Sequence, residues 1–274
     1  MSAKSFRAAL NEALHQEMAA DPNVVVIGED VTGGVGGDGI QDAWGGAFGV
    51  TKELLGTYGP SRVLDTPITE SAFVGAAAGA ALTGLRPVVE IMFVDFIGVC
   101  LDQVMNQAAK FRYMFGGKTR CPIVLRATFG GGARSASQHS QALYPIFTHI
   151  PGLKVVIPSN PSDAKGLLIE AIRDDDPVIF LEHKMMYDEM GEVSDQPFTV
   201  PFGEARVLRE GPDATIFAYG RMVGQAEKAA QTLQSEGIRI SIVDPRTTSP
   251  LDVDTILEFA EETGRIVIAD EASP

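Results

Sequence analysis

The chain has 274 residues, 45% hydrophobic and 21% charged, with a net charge of -14, which is enough for one large or two ordinary domains with real cores. The acidic balance argues against a nucleic-acid binder, which would carry a basic face, and leaves room for a basic partner. Cys100 and Cys121 lack zinc-site or disulfide-scaffold spacing, the N-terminus lacks the apolar core of a signal peptide, and no apolar run reaches the roughly 18 residues of a membrane span, so a reducing cytoplasmic compartment without a membrane partner is expected.

Phe6, Leu10, Leu14 and Met18 recur at helical spacing and predict an amphipathic first helix. Val24-Val25-Val26-Ile27 is too short for a helix and rich in β-branched residues, which predicts a buried parallel strand. A glycine-rich loop (31–46), a short helix Thr51 to Tyr58 and a strand Arg62 to Asp65 follow. The proline turn Thr66-Pro67-Ile68-Thr69 then delivers Glu70 to the head of a small-residue helix, Ser71 to Gly84. An acid there is either a helix-start device, favoured by the dipole, or a reaction centre held rigidly after a strand.

Strand Pro87 to Met92 leads into one long predicted helix, Phe96 to Phe115. Strand Pro122 to Arg126 precedes a second loop, Phe129 to Gln141, and strand Lys154 to Ile157, helix Pro161 to Arg173 and strand Val178 to Glu182 close the unit. Residues 183 to 202, with Pro197 and Pro201, read as an irregular linker. A second α/β pattern begins near Gly203, with strands Thr215 to Ala218, Ile238 to Val243 and Arg265 to Ala269 and helices Gln225 to Glu236 and Asp252 to Thr263. Its last strand has no covering helix, so this unit reads as cut short. Strands alternating with helices specify a doubly wound parallel α/β sheet whose ligands bind beyond the strands' carboxyl ends. Glu29, Glu70, Phe96 and His139 all follow strand ends.

Two motifs fail on context. Gly34-Val35-Gly36-Gly37-Asp38-Gly39 satisfies a dinucleotide fingerprint, which would make the chain a nicotinamide-dependent oxidoreductase, but Asp42-Ala43-Trp44-Gly45-Gly46 is poor helix sequence where the motif needs a helix to open. Gly37-Asp38-Gly39 mimics the start of the magnesium-diphosphate motif of thiamine enzymes, yet no Asn lies between Asn23 and Asn106 to complete it. His139 and His149 have no third partner for a metal site.

Read together, Asp65 to Glu70, Phe93-Val94-Asp95-Phe96, Asp102 to Lys110, Gln138-His139-Ser140-Gln141, Pro151 to Val156, Pro161 to Leu168 and Asp244 to Leu251 resemble the beta subunit of the thiamine-diphosphate-dependent component of 2-oxo acid dehydrogenase complexes. The resemblance runs from about Phe6 to Pro274, in the family's order. It implies a transketolase-like pyrimidine-binding domain over 1–195 and the start of a transketolase C-terminal-like domain over 203–274, members normally continuing further. The loop Gln41 to Gly46 and the run Lys110 to Lys118 look most like acetoin dehydrogenase, with pyruvate and branched-chain 2-oxo acid dehydrogenases as the alternatives.

The resemblance also implies roles. Glu70 matches the acid that shares a proton with N1′ of the cofactor's aminopyrimidine, favouring the imino tautomer that deprotonates the thiazolium carbon. Phe96 matches a ring stacked on the aminopyrimidine, and Ile68 and Met92 would line the same pocket. His139 matches a histidine that faces the substrate and assists proton or acyl transfer. Some members hold potassium at positions matching Ile123, Ala171, Ile172, Asp174 and Asp176, the last often Asn in relatives. Magnesium ligands are expected on an alpha subunit, in an α2β2 tetramer that passes an acyl group to a lipoyl-bearing dihydrolipoyl acyltransferase. Glu29 has no assigned role.

Overall fold

The computed structural model describes residues 1–33 and 45–273. In chain order its elements are β1 (Ser2–Ser5), α1 (Phe6–Ala20), β2 (Val24–Gly28), α2 (Leu54–Tyr58), β3 (Val63–Asp65), α3 (Glu70–Leu82), β4 (Arg86–Phe93), α4 (Ala109–Met114), β5 (Val124–Phe129), α5 (Tyr144–Thr148), β6 (Lys154–Val156), α6 (Pro161–Arg173), β7 (Val178–His183) and β8 (Met190–Val193). They continue with β9 (Arg206–Pro212), β10 (Ala214–Ala218), α7 (Arg221–Ser235), β11 (Ile240–Asp244), β12 (Thr247–Ser249), α8 (Val253–Thr263) and β13 (Ile266–Ala269).

The first sheet has the order β12-β6-β7-β5-β4-β2-β3, parallel throughout except for antiparallel β12 at its edge. Alternate residues of each strand feed two cores. Val89, Leu125, Val155 and Ile179 face α3 and α5, while Val88, Val124, Val156 and Val178 face α1 and α6. That double burial is why these strands read as continuous apolar runs. The predicted stripe Phe6, Leu10, Leu14 and Met18 lies wholly in the second core. Caps set the helix starts, the Ser5 hydroxyl accepting from the Ala8 amide at 3.1 Å and Asn160 from the Asp163 amide at 2.9 Å. The second sheet has the order β13-β10-β11-β9, with β9 antiparallel.

Three sequence expectations are corrected. The single helix predicted from Phe96 to Phe115 is a helical run of changing pitch: 3-10 over Val94–Cys100, π over Gln103–Ala108, then α4. Gly98 and the β-branched Val94, Ile97 and Val99 weaken the α form at its start, and the Ser71 hydroxyl takes the Val99 carbonyl at 2.6 Å. The predicted linker contains a 3-10 turn, Lys184–Met186, and β8, which pairs antiparallel with β1. Thr247 to Ser249, read as part of the second unit, is β12 and extends the first sheet by pairing with β6.

Candidate functional site

Strands β3, β2 and β4 lie side by side; β3 and β2 end together at Asp65 and Gly28, and β4 runs on past Glu90 to Phe93. Thr66 donates its amide to the Gly28 carbonyl at 3.0 Å, carrying the ladder one residue past β3. Pro67 then turns the chain, and the Thr69 carbonyl accepts the amides of Ala72 and Phe73 at 2.8 and 3.1 Å, starting α3 at Glu70. The acid is 7% exposed. The local fold thus fixes Glu70 between a strand end and a helix start, as its first-turn reading requires.

Beyond these strand ends lies a cleft of about 830 Å³ lined by Glu29, Asp30, Asp65, Thr66, Pro67, Ile68, Glu70, Met92 and Phe96. Ile68, Glu70, Met92 and Phe96, singled out from three stretches, therefore meet in one cavity. Ile68 is 82% exposed, so it offers an apolar surface at the mouth rather than core packing. Phe96 sits partly buried in a T-shaped contact with Phe93, ring centroids 5.6 Å apart.

Sequence reasoning left Glu29 unassigned, and it lies in this cleft. Burial, then the negative charges of Glu70 and Asp30, push its carboxyl above the ordinary carboxylate value, against the lowering effect of the Thr69 amide. Its Oε1 and the Thr66 hydroxyl are buried without a hydrogen-bond partner among the described residues. Orphaned polar atoms in an acid-and-apolar cleft are the setting an organic cation with ring nitrogens would complete. The position of Glu29, one residue past a buried strand, was the available sequence signal.

His139 approaches the same place from the other side. It ends a 3-10 turn, Ser137–His139, in the loop that follows β5. The Gly130 amide donates to the Gln141 carbonyl at 3.0 Å and closes the loop's base, and Gln141 Nε2 donates to Asp95 Oδ1 at 2.7 Å. Arg134 and Ala136 hold φ of 57° and 69°, left-handed values uncommon for non-glycine residues and typical of functional loops. The imidazole stands edge-on to Phe93 and Phe96, with centroids 4.5 and 5.4 Å away, and its Nδ1 is buried without a partner among the described residues. It is outside the lining of the cleft but one ring away from it.

Ile123, Ala171, Ile172, Asp174 and Asp176 sit where the C-terminus of α6 meets the approach to β5. The carbonyls of Ile172 and Asp174 accept from Arg86 Nη1 at 3.0 and 2.9 Å, and the Ile123 carbonyl accepts the Val178 amide at 3.0 Å. Arg112 pairs with Asp176 and Lys154 with Asp174. Carbonyls at a helix C-terminus beside Asp174, Asp175 and Asp176 suit a cation, and Arg86, Arg112, Arg120 and Lys154 already bring positive charge to those acids. Among the described residues no group of three or more His, Cys, Asp or Glu could hold a metal. The glycine motif Gly34 to Gly39, with its nicotinamide reading, lies outside the described residues.

Residues 2–189 match the family described as transketolase, pyrimidine binding domain, and 203–274 match transketolase, C-terminal domain. Acetoin:2,6-dichlorophenolindophenol oxidoreductase subunit beta of Cupriavidus necator is 61% identical over 270 residues, covering 98% of this chain and 80% of that protein. Pyruvate dehydrogenase E1 component subunit beta of Rickettsia bellii is 46% identical over 267 residues, with 97% and 79% covered. A solved structure described as a split gene transketolase, inactive beta4 tetramer, superposes with a TM-score of 0.77 at 25% identity, covering 98% of this chain and 80% of that one.

Proposed function

Because the chain belongs to the transketolase-like beta subunits of thiamine-diphosphate-dependent dehydrogenases, we propose that it is the beta subunit of an acetoin dehydrogenase, cleaving acetoin and passing the acetyl group to lipoamide or an artificial electron acceptor. The substrate assignment is supported by 61% identity to an acetoin-oxidising subunit against 46% to a pyruvate dehydrogenase subunit. The site assignment is supported by the meeting of Ile68, Glu70, Met92 and Phe96 in one cleft.

When bound, thiamine diphosphate supplies a thiazolium carbon acidic enough to become a nucleophile toward a carbonyl. Glu70, fixed at the head of α3, holds a proton at N1′ of the aminopyrimidine ring. Its rigidity matters, because a carboxyl free to rotate would share that proton with water. Phe96 offers a face to the ring, worth on the order of 1 kcal/mol beyond burial, and Ile68 and Met92 exclude water around it. His139 takes or returns a proton at the substrate end, its ring set by Phe93 and Phe96. Magnesium binds through an alpha subunit that closes the cleft, in an α2β2 assembly served by a lipoyl-bearing acyltransferase. Potassium belongs among Ile123, Ala171, Ile172, Asp174 and Asp176.

The deciding assay pairs the chain with its alpha subunit and follows dichlorophenolindophenol reduction with acetoin, pyruvate and 3-methyl-2-oxobutanoate. Acetoin should show a kcat/KM at least about tenfold above the others. A preference for either oxo acid would move the chain to that branch. Turnover by the isolated beta subunit with thiamine diphosphate and magnesium would end the two-chain reading.

A further inference from the structure

We propose that Lys184 is a positioning residue that sets the His139 loop against the aromatic pair beside the cleft. Lys184 opens the 3-10 turn after β7, a strand that contributes no lining residue to the cleft. Its ammonium donates to the His139 backbone carbonyl across 45 residues of sequence. The same ammonium stands 5.2 Å from the centre of the Phe93 ring, whose edge-on neighbour is the His139 imidazole at 4.5 Å. One cation therefore fixes both the backbone that carries the histidine and the ring that orients it.

The anchor is itself held. The Met185 amide donates to His183 Nδ1 at 3.2 Å, and His183 Nε2 lies 2.7 Å from Glu271 Oε2. His183 is fully buried, and Gly130, at φ 89°, rests on it so closely that a Cβ there would lie 2.2 Å from Nε2. The loop thus begins on His183 and is tied near its end by the next residue, Lys184. Burial lowers the Lys184 pKa, opposed by Asp95 and Glu271, the two acids that face it. A donor drawn from water and shared between a carbonyl and a ring face is the kind of contact that stiffens a loop.

The inference rests on the reading of His139 as the proton-handling group, and the test separates the two. In the assembled alpha–beta complex, Lys184→Met keeps the alkyl stem against Phe93 and removes the donor. It should lower kcat about tenfold or more while KM for acetoin and the affinity for thiamine diphosphate change less than about threefold, the pattern of a group that works only in the reacting complex. Lys184→Arg, which can still donate, should recover most of the loss. In a His139→Ala background, Lys184→Met should add no further loss, because the two act as one unit. Full kcat in Lys184→Met beside an inactive His139→Ala overturns the role of Lys184 alone. Full multiplication of the two losses does the same, since Lys184 would then act by another route. Full activity of His139→Ala removes the His139 reading and this inference with it.

Discussion

Arg126 Nη1 donates to Glu90 Oε2 at 2.8 Å from a side chain that is only 2% exposed. The same guanidinium grips both oxygens of Glu182 at 2.7 and 2.8 Å, and Glu182 also accepts from the Tyr187 hydroxyl at 2.7 Å. Burial and the Glu182 charge raise the Glu90 carboxyl, while Arg126 opposes them. Three neighbouring strands, β4, β5 and β7, are pinned by this network just below the cleft. Arg126→Met would leave two buried acids unpaired, and about 3–5 kcal/mol of stability should be lost in denaturant unfolding. A loss under about 1 kcal/mol would mean that the acids find other partners or neutralise without cost.

Glu70→Gln preserves size and helix start but cannot give up or accept a proton as the acid does. We expect kcat of the assembled complex to fall by about two to four orders of magnitude with its melting temperature changed by less than about 2 °C. Near-normal turnover would leave Glu70 as a helix-start acid and nothing more.

Asp244 is fully buried, and burial lifts its carboxyl to about 7 although the Ser159 hydroxyl and the Arg246 amide favour the charged form. An unfolded Asp titrates near 4, so between those values the folded chain holds a proton that the unfolded chain has released. This group's contribution to stability therefore weakens as pH rises through that window. The stability difference between the parent and Asp244→Asn should fall steadily from about pH 4.5 to 7.5. A flat difference would show that the carboxyl is charged throughout.

Both cysteines are buried, and burial pushes each thiol up to about 12, with Glu70 adding to the effect at Cys100 and Asp176 at Cys121. Thiolate, the reactive form, is then scarce at neutral pH. Iodoacetamide at pH 7.5 should label neither cysteine in the native protein and both after denaturation, as read by intact mass. Native labelling would contradict the packing around Cys100 and Cys121.

The potassium proposed at the α6 terminus would act on stability more than on chemistry, since those residues lie outside the cleft lining. Replacing potassium by tetramethylammonium, too large for a cluster of carbonyls, should lower the melting temperature by about 2–4 °C. An unchanged melting curve would assign the local charge balance to Arg86, Arg112, Arg120 and Lys154.

Most of the sheet was legible because its strands are buried on both faces, so that Val24 to Ile27 or Val178 to Leu181 carry no competing polar signal. Glu70 was legible for a different reason: a proline turn and an abrupt run of small residues mark a strand-to-helix corner. The pitch changes between Val94 and Ala108 were not, since they depend on a carbonyl claimed by Ser71 from another helix. β1 and β8 are too short and polar to declare themselves before they meet. Glu29 carried only its place just past a strand end, and Lys184 escaped because its neighbours come from distant sequence and nothing local distinguishes it from an ordinary surface charge.

The pairing of β12 with β6 has a consequence for any attempt to divide the protein. A fragment ending near residue 195 would keep six strands of the first sheet and lose the seventh, baring the β6 edge to pairing with other molecules. Excision of the later part would in turn leave β12 as a stray ribbon with no host. The two halves are consequently stitched, and melting one should drag down the other.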